Sequence, residues 1–401
     1  MDGGQVLPSI TFDLYQTLAI AVIATTIGYI FKKRISFLER FCIPSPVIGG
    51  LIVAMIVCVL HETGCLEVLF DESLREVCMV FFFTSVGFQA DFRLLKAGGR
   101  GLVTLIVLVL GLVILQNTTA IGCAKLIGMN RLLGMCTGSI PMTGGHGTSA
   151  AFGPILQAMG FSSATTVCIA SATYGLIFGS LIGGPIANRL IEKKGLLNTK
   201  ESRENGEEYS SDKAGRNVVT GYSVAAFQMA VAAGIGTGIS MLLSKTGMTF
   251  PIYIGSMLSA ALIRNIFELF GKDEINMDQI TDIGNIMLPL FLGISMISMK
   301  IYELFDLALP VTVMLLVQTL LMIVYARYIV FNLMGKDYDA AVISAGMCGF
   351  GMGATPNAIA NMQAVCARYK PSFKAFMLVP IVGSMFADFI NSAVITLFLN
   401  L

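Results

Sequence analysis

The sequence predicts an all-α polytopic membrane protein built as two inverted-topology repeats of five transmembrane helices, each repeat with one re-entrant hairpin. Three observations carry that expectation: a composition too apolar for a soluble chain, charge-free runs recurring at membrane-spanning length, and two glycine-rich stretches that look like copies of each other. Of 401 residues, 55% are hydrophobic and 13% charged, against about 25% charged in a soluble domain. The net charge of +1 offers no general attraction for nucleic acid. The charges sit in short clusters between apolar runs, so their placement reports topology and a lipid bilayer as surroundings.

Runs able to cross about 30 Å of hydrocarbon are expected at 14–31, 45–60, 77–90, 101–124, 162–188, 217–243, 247–264, 283–299, 306–329 and 375–398. That makes ten, the third being short. The first run closes on Lys32-Lys-Arg34 with no small-residue cleavage site after it, and reads as a retained span. With the amino terminus outside, 21 of the 26 Lys and Arg fall inside, and Arg75, Lys125, Arg131, Lys245 and Lys300 stay outside. Both termini are then external. Residues 1–188 form the first repeat, 189–216 a charged, flexible cytoplasmic linker containing Glu201-Ser-Arg-Glu-Asn-Gly-Glu-Glu208, and 217–401 the inverted second repeat. The nine scattered cysteines contain no C-x-x-C pair and read as small buried hydrophobes.

The two glycine-rich stretches are Gly138-Ser-Ile-Pro-Met-Thr-Gly-Gly-His-Gly-Thr-Ser-Ala-Ala-Phe-Gly-Pro154 and Ala345-Gly-Met-Cys-Gly-Phe-Gly-Met-Gly-Ala-Thr-Pro-Asn-Ala-Ile-Ala-Asn361, beginning 207 residues apart. Each lies in a segment free of Asp, Glu, Lys and Arg, 132–188 and 340–367. Such composition favours turns and broken helix, yet its surroundings read as bilayer interior. By the charge count neither stretch is a full crossing, so each enters and returns, near 132–155 and 340–362. The repeat extends further: Pro46-Val-Ile-Gly49 parallels Ile252-Tyr-Ile-Gly255, Phe83 parallels Phe291, Gln116 parallels Gln318, and Gly128-Met-Asn130 parallels Gly335-Lys-Asp337. Five spans per half invert the second copy, an architecture of secondary transporters.

Broken helices leave backbone N–H groups suited to a carboxylate and carbonyls suited to a desolvated sodium ion. Gly144, Gly145, Gly147, Thr148, Ser149, Gly351, Gly353, Thr355 and Asn357 are therefore the candidates for direct contact with substrate. His146 is an ionisable group within the membrane, or a neutral donor that fixes the hairpin. A Ser149–His146 nucleophile would lack a carboxylate to orient the histidine, which argues against an enzyme. Asp388 in the last span needs a positive partner, either a cation such as sodium or an amino group on the substrate, and Asn391 shares its helical face. Arg368 either reaches back to a substrate carboxylate or is an ordinary positive-inside residue. Gln116 and Gln318 suit hydrogen bonds between helices.

The Gly-Gly-His-Gly-Thr of the first stretch, Gly335-Lys-Asp-Tyr-Asp-Ala-Ala-Val342 and Gly349-Phe-Gly-Met-Gly-Ala-Thr-Pro-Asn-Ala-Ile-Ala-Asn-Met-Gln-Ala364 resemble the bacterial sodium/glutamate symporter family. The resemblance implies sodium-coupled uptake of L-glutamate across the inner membrane, sodium as co-transported ion with no tightly bound cofactor, and a homodimer working by an elevator-like movement. The sequence departs from the family pattern at Pro141-Met-Thr143, where the family reads Thr-Leu-Ser, at Asn357 in place of threonine, and at Asp91 in place of asparagine. A passive channel or facilitator for small anions is the alternative, since re-entrant hairpins also build selectivity filters.

Energetics set the cation count. Concentrating glutamate a thousandfold costs about 4.2 kcal/mol, since each tenfold gradient is worth about 1.4 kcal/mol. One sodium ion on a tenfold gradient falls short and leaves transport of the glutamate anion electroneutral. Two add one net charge, worth about 2.3 kcal/mol per 100 mV, so at least two cations per substrate are expected.

Overall fold

Helix caps that the sequence repeats are repeated in space. The computed structural model describes residues 8–91, 93, 99–198, 218–245, 251–270 and 275–401. The first part of the chain runs through α1 (Leu14–Arg34), α2 (Ser36–Arg40), α3 (Ser45–Glu62), α4 (Ser73–Phe88), α5 (Gly99–Leu126), α6 (Arg131–Met135), α7 (Ser139–Met142), α8 (Gly145–Ala158) and α9 (Ala164–Lys194). It continues through α10 (Val218–Ser244), α11 (Ile252–Leu269), α12 (Met277–Ile297), α13 (Ala308–Val324), α14 (Phe331–Leu333), α15 (Tyr338–Gly351), α16 (Thr355–Arg368), α17 (Phe373–Ile381) and α18 (Ala387–Leu399).

Nine of the described helices are long and apolar enough to cross a bilayer, counting α13–α14 and α17–α18 as one each. The tenth expected crossing, 77–90, is α4, whose 16 residues fall short of that length. The crossings expected to begin at 247 and 283 begin at Ile252 and Met277. Two single π turns, Tyr325–Val330 and Val382–Phe386, sit inside the last crossings. Apolar periodicity cannot reveal them, because one inserted residue leaves the run unbroken. A short parallel ladder also joins Ser9–Phe12 to Glu67–Phe70, with Phe12 stacked on Phe70. Of the expected linker 189–216, residues up to Lys194 extend α9, Gly195 ends it in the left-handed conformation, and 199–217 lie outside the described residues.

Local chemistry sets these boundaries. Asp13 and Gln16 form a reciprocal capping box at the start of α1, and Lys32, Lys33 and Arg34 sit at its negative end. Asn130 caps α6 and Asp337 caps α15 through their side chains, each two residues after a glycine of positive φ, Gly128 and Gly335. The two sites are 207 residues apart.

The helices pack as two bundles. One holds α1, α3, α4, α10, α11 and α12; the other holds α5 to α9 and α13 to α18. In the first, backbones touch at glycines: a Cβ on Gly49 would lie 1.6 Å from the Ala24 carbonyl, and one on Gly255 would lie 2.0 Å from that of Gly236. In the second, α9 packs against α8, α15 and α16. Gly175, Gly179 and Gly183 form the stripe of α9 that admits the carbonyls of Met352, Cys348 and Ala345, which would lie 2.2, 2.8 and 2.9 Å from added Cβ atoms. Valine and leucine side chains such as Val107, Leu316 and Leu320 face outward, as lipid requires. The Thr166 hydroxyl bonds the Lys300 carbonyl across the bundles.

Candidate functional site

Both glycine-rich stretches break their helices, and the two breaks meet. The first falls at Thr143–Gly144 between α7 and α8, where Gly145 adopts φ +59. The second falls at Met352–Ala354 between α15 and α16, with Ala354 fully extended. A Cβ on Gly145 would lie 2.8 Å from the Gly353 carbonyl oxygen. No side chain other than hydrogen fits there.

Unpaired polar groups gather at this contact. The amides of Gly145, His146 and Gly147, at the amino end of α8, find no acceptor among the described residues, and neither does that of Thr355 at the start of α16. Pro356, in the first turn of α16, has no N–H to satisfy. On the carbonyl side, Gly351 accepts from Gln116 Nε2 at 2.7 Å and from the Thr143 hydroxyl at 3.4 Å. Thr143 also donates to Gln116 Oε1 at 2.7 Å, and Gln318 Nε2 donates to the Gln116 carbonyl at 2.8 Å. One glutamine on α5 thus touches both breaks. The arrangement offers donors and acceptors close together in a buried, uncharged place, where each is strong.

The other sequence-derived candidates divide into those at the breaks and those that brace them. Thr148 is buried against Gly144, whose added Cβ would lie 2.4 Å from the threonine Cβ. Thr355 abuts Gly383 in the second π turn, at 3.0 Å from an added Cβ. Gly147 has room, with Phe82 its nearest neighbour at 3.6 Å from an added Cβ. His146 Nε2 lies 3.0 Å from the Thr173 hydroxyl and Ser149 donates to the Cys168 carbonyl at 3.2 Å, so both fasten α8 to α9 and point to separate partners. Asn357 Nδ2 donates to the Leu176 carbonyl at 2.9 Å and to Ser180 at 2.8 Å, bracing α16 on α9, while its buried Oδ1 has no partner among the described residues.

Asn391 on α18 borders the first break: Nδ2 donates to the Ser139 carbonyl at 3.1 Å, and a Cβ on Gly144 would lie 2.6 Å from it. Its Oδ1 has no hydrogen-bond partner among the described residues. Asp388, one turn earlier and half-buried, is in none of the ion pairs among the described residues. Arg368 is not brought to the site. It ends α16 about 20 Å from Thr355 at 1.5 Å per residue, where it pairs with Glu192 at 3.0 Å beside Tyr369.

Sequence reasoning missed Asn117, Ser139 and Thr143. Asn117 Oδ1 accepts from the Ser139 amide at 2.9 Å and so fixes the turn before α7. The Gln116-Asn117 pair within an apolar crossing was the available signal. The nine cysteines are unpaired, and no group of three His, Cys, Asp or Glu able to hold a metal occurs among the described residues. Cavities of about 440 Å³ at Thr25, Tyr29, Pro44 and Leu292, and about 110 Å³ at His61 and Tyr302, lie away from the breaks.

A family profile described as sodium/glutamate symporter matches residues 10–371. The sodium/glutamate symporter of Escherichia coli (strain K12) is 38% identical over 392 residues, 97% of this chain and 98% of its own. That of Haemophilus influenzae is 37% identical over 96% of this chain and 97% of its own. Among solved structures, a sodium proton antiporter from Methanocaldococcus jannaschii covers 95% of this chain and 96% of its own at 13% identity, with a TM-score of 0.45.

Proposed function

The chain belongs to the sodium/glutamate symporter family, a family of transporters and not of enzymes, and from that premise we propose that it imports L-glutamate coupled to sodium. The observation that carries the reading is the contact of the two breaks at Gly145 and Gly353, with free amides on one side and a gathered carbonyl on the other. The amides of Gly145 to Gly147 and Thr355 take the carboxylates of the substrate. Asp388 and Asn391 supply oxygen to sodium or to the substrate amino group. Arg368, paired with Glu192, stays outside this site.

Transport proceeds by alternating access between two inverted repeats of five crossings and one re-entrant hairpin each. The recurring caps Gly128/Asn130 and Gly335/Asp337, and the recurring contacts Gly28/Gly49 and Gly236/Gly255, support that duplication. The bundle holding both breaks moves in elevator fashion against the other, and their separate packing supports this division. At least two sodium ions accompany each glutamate. The termini lie outside and the linker inside the bacterial inner membrane, and the family likeness suggests a homodimer. A passive channel fits less well, because both breaks belong to one chain and close on each other.

Substitution tests the roles. In proteoliposomes Thr355→Ala is expected to raise the glutamate concentration for half-maximal uptake, and Asp388→Asn to lower sodium dependence. Wild-type kinetics in both variants would remove these residues from the site.

A further inference from the structure

Tyr253 opens α11 in the first bundle, yet its ring lies between the bundles. It stacks on Phe83 of α4 at 4.0 Å and meets Phe152 of α8 edge-on at 5.8 Å. The side chain is fully buried, and its hydroxyl has no partner in close hydrogen-bond geometry among the described residues. That oxygen sits beside Ser392 and within electrostatic reach of Asp388, both on α18 of the second bundle. The Ser392 hydroxyl and Asn391 Oδ1 are likewise buried and unpaired. Asp388 is in none of the ion pairs among the described residues. Unmade bonds at this depth are destabilising unless the working molecule fills them. The donor set is all oxygen, a phenol and a hydroxyl around a carboxylate, which suits a hard cation or an ammonium group and no anion.

We propose that Tyr253 and Ser392 complete, with Asp388, a cation site that spans the bundle interface and takes either sodium or the ammonium group of the amino-acid substrate. This rests on the symporter reading above. Because Tyr253 belongs to the other bundle, relative movement of the bundles removes one ligand, so occupancy and bundle position are coupled.

Tyr253→Phe keeps the aromatic stack and removes one oxygen. Purified full-length protein in liposomes is assayed for uptake of radiolabelled L-glutamate, titrating sodium and glutamate each with the other saturating. Wild-type protein without sodium-driven uptake would end the symporter reading and this site with it. With wild type active, Tyr253→Phe is expected to raise one half-saturation constant about five- to tenfold, the loss of about one hydrogen bond. The constant that shifts more names the occupant: sodium, or the substrate ammonium. Both constants within twofold of wild type, whatever the maximal rate, would overturn the site and leave the symporter reading standing. Ser392→Ala, expected to shift the same constant, decides alone by the same criteria if Tyr253→Phe does not fold.

Discussion

Gly145 and Gly353 hold the two helix breaks in contact: a Cβ on Gly145 would stand 2.8 Å from the Gly353 carbonyl oxygen, and its φ is +59. Alanine at 145 is therefore opposed twice, by the left-handed backbone, at about 1–2 kcal/mol, and by the collision. Gly145→Ala is expected to lower glutamate uptake more than tenfold at equal protein in the membrane. Gly147→Ala, whose Cβ would find its nearest neighbour at 3.6 Å, keeps uptake within about threefold on the same van der Waals argument. Equal losses in the two variants would mean that the contact is not what matters.

Gln116 joins the breaks by bonding Thr143 and Gly351 at 2.7 Å each. Gln116→Leu leaves a buried hydroxyl and a buried carbonyl short of a partner, at about 1–3 kcal/mol each. Thermal unfolding in detergent is expected to fall by several degrees, with uptake reduced at least tenfold. Thr143→Ser keeps the hydroxyl and stays within about twofold of wild type, whereas Thr143→Val behaves as Gln116→Leu. A valine variant indistinguishable from serine would show that the network does not hold the breaks.

Much of this was legible in the sequence because it rests on local rules. Glycine and proline density marked both breaks, and Gly128-Met-Asn130 and Gly335-Lys-Asp337 marked the caps that begin the arms leading to them. What escaped depends on packing between distant segments. The Ser9–Phe12 and Glu67–Phe70 strands are four residues each and pair across more than fifty intervening positions. In the sequence Tyr253 stands out only as part of the repeated Ile252-Tyr-Ile-Gly255, and its place between Phe83 and Phe152 comes from packing between distant helices. For Arg368 spacing leaves open a reach back to the second break or an ordinary positive-inside place, and an unbroken α16 carries it away from the break.

An ionic cluster fastens the end of α4 to α11. Asp91 accepts from the Arg93 amide at 2.8 Å and lies 3.5 Å from Arg264, while Arg93 reaches Glu268 at 2.7 Å. Burial pushes the Asp91 carboxyl up, but the Arg93 hydrogen bonds and the charges of Arg93 and Arg264 outweigh it and hold the group below the usual carboxylate range. A depressed folded value means stability present above the unfolded value of about 3.9 and lost as pH falls through the folded one. Asp91→Asn is expected to lower the unfolding temperature at pH 7, and the gap from wild type to narrow as pH drops below about 4. A gap that stays constant down to pH 3 would contradict this linkage.

The most direct measurement of the central claim is uptake of radiolabelled L-glutamate into liposomes holding the purified protein, with and without an inward sodium gradient, at zero and at negative-inside voltage. Coupling to at least two sodium ions predicts saturable accumulation above the outside concentration that requires sodium and rises with voltage. Each net charge contributes about 2.3 kcal/mol per 100 mV. Sodium-independent equilibration that never exceeds the outside concentration would contradict symport, and sodium-driven uptake indifferent to voltage would contradict the second cation.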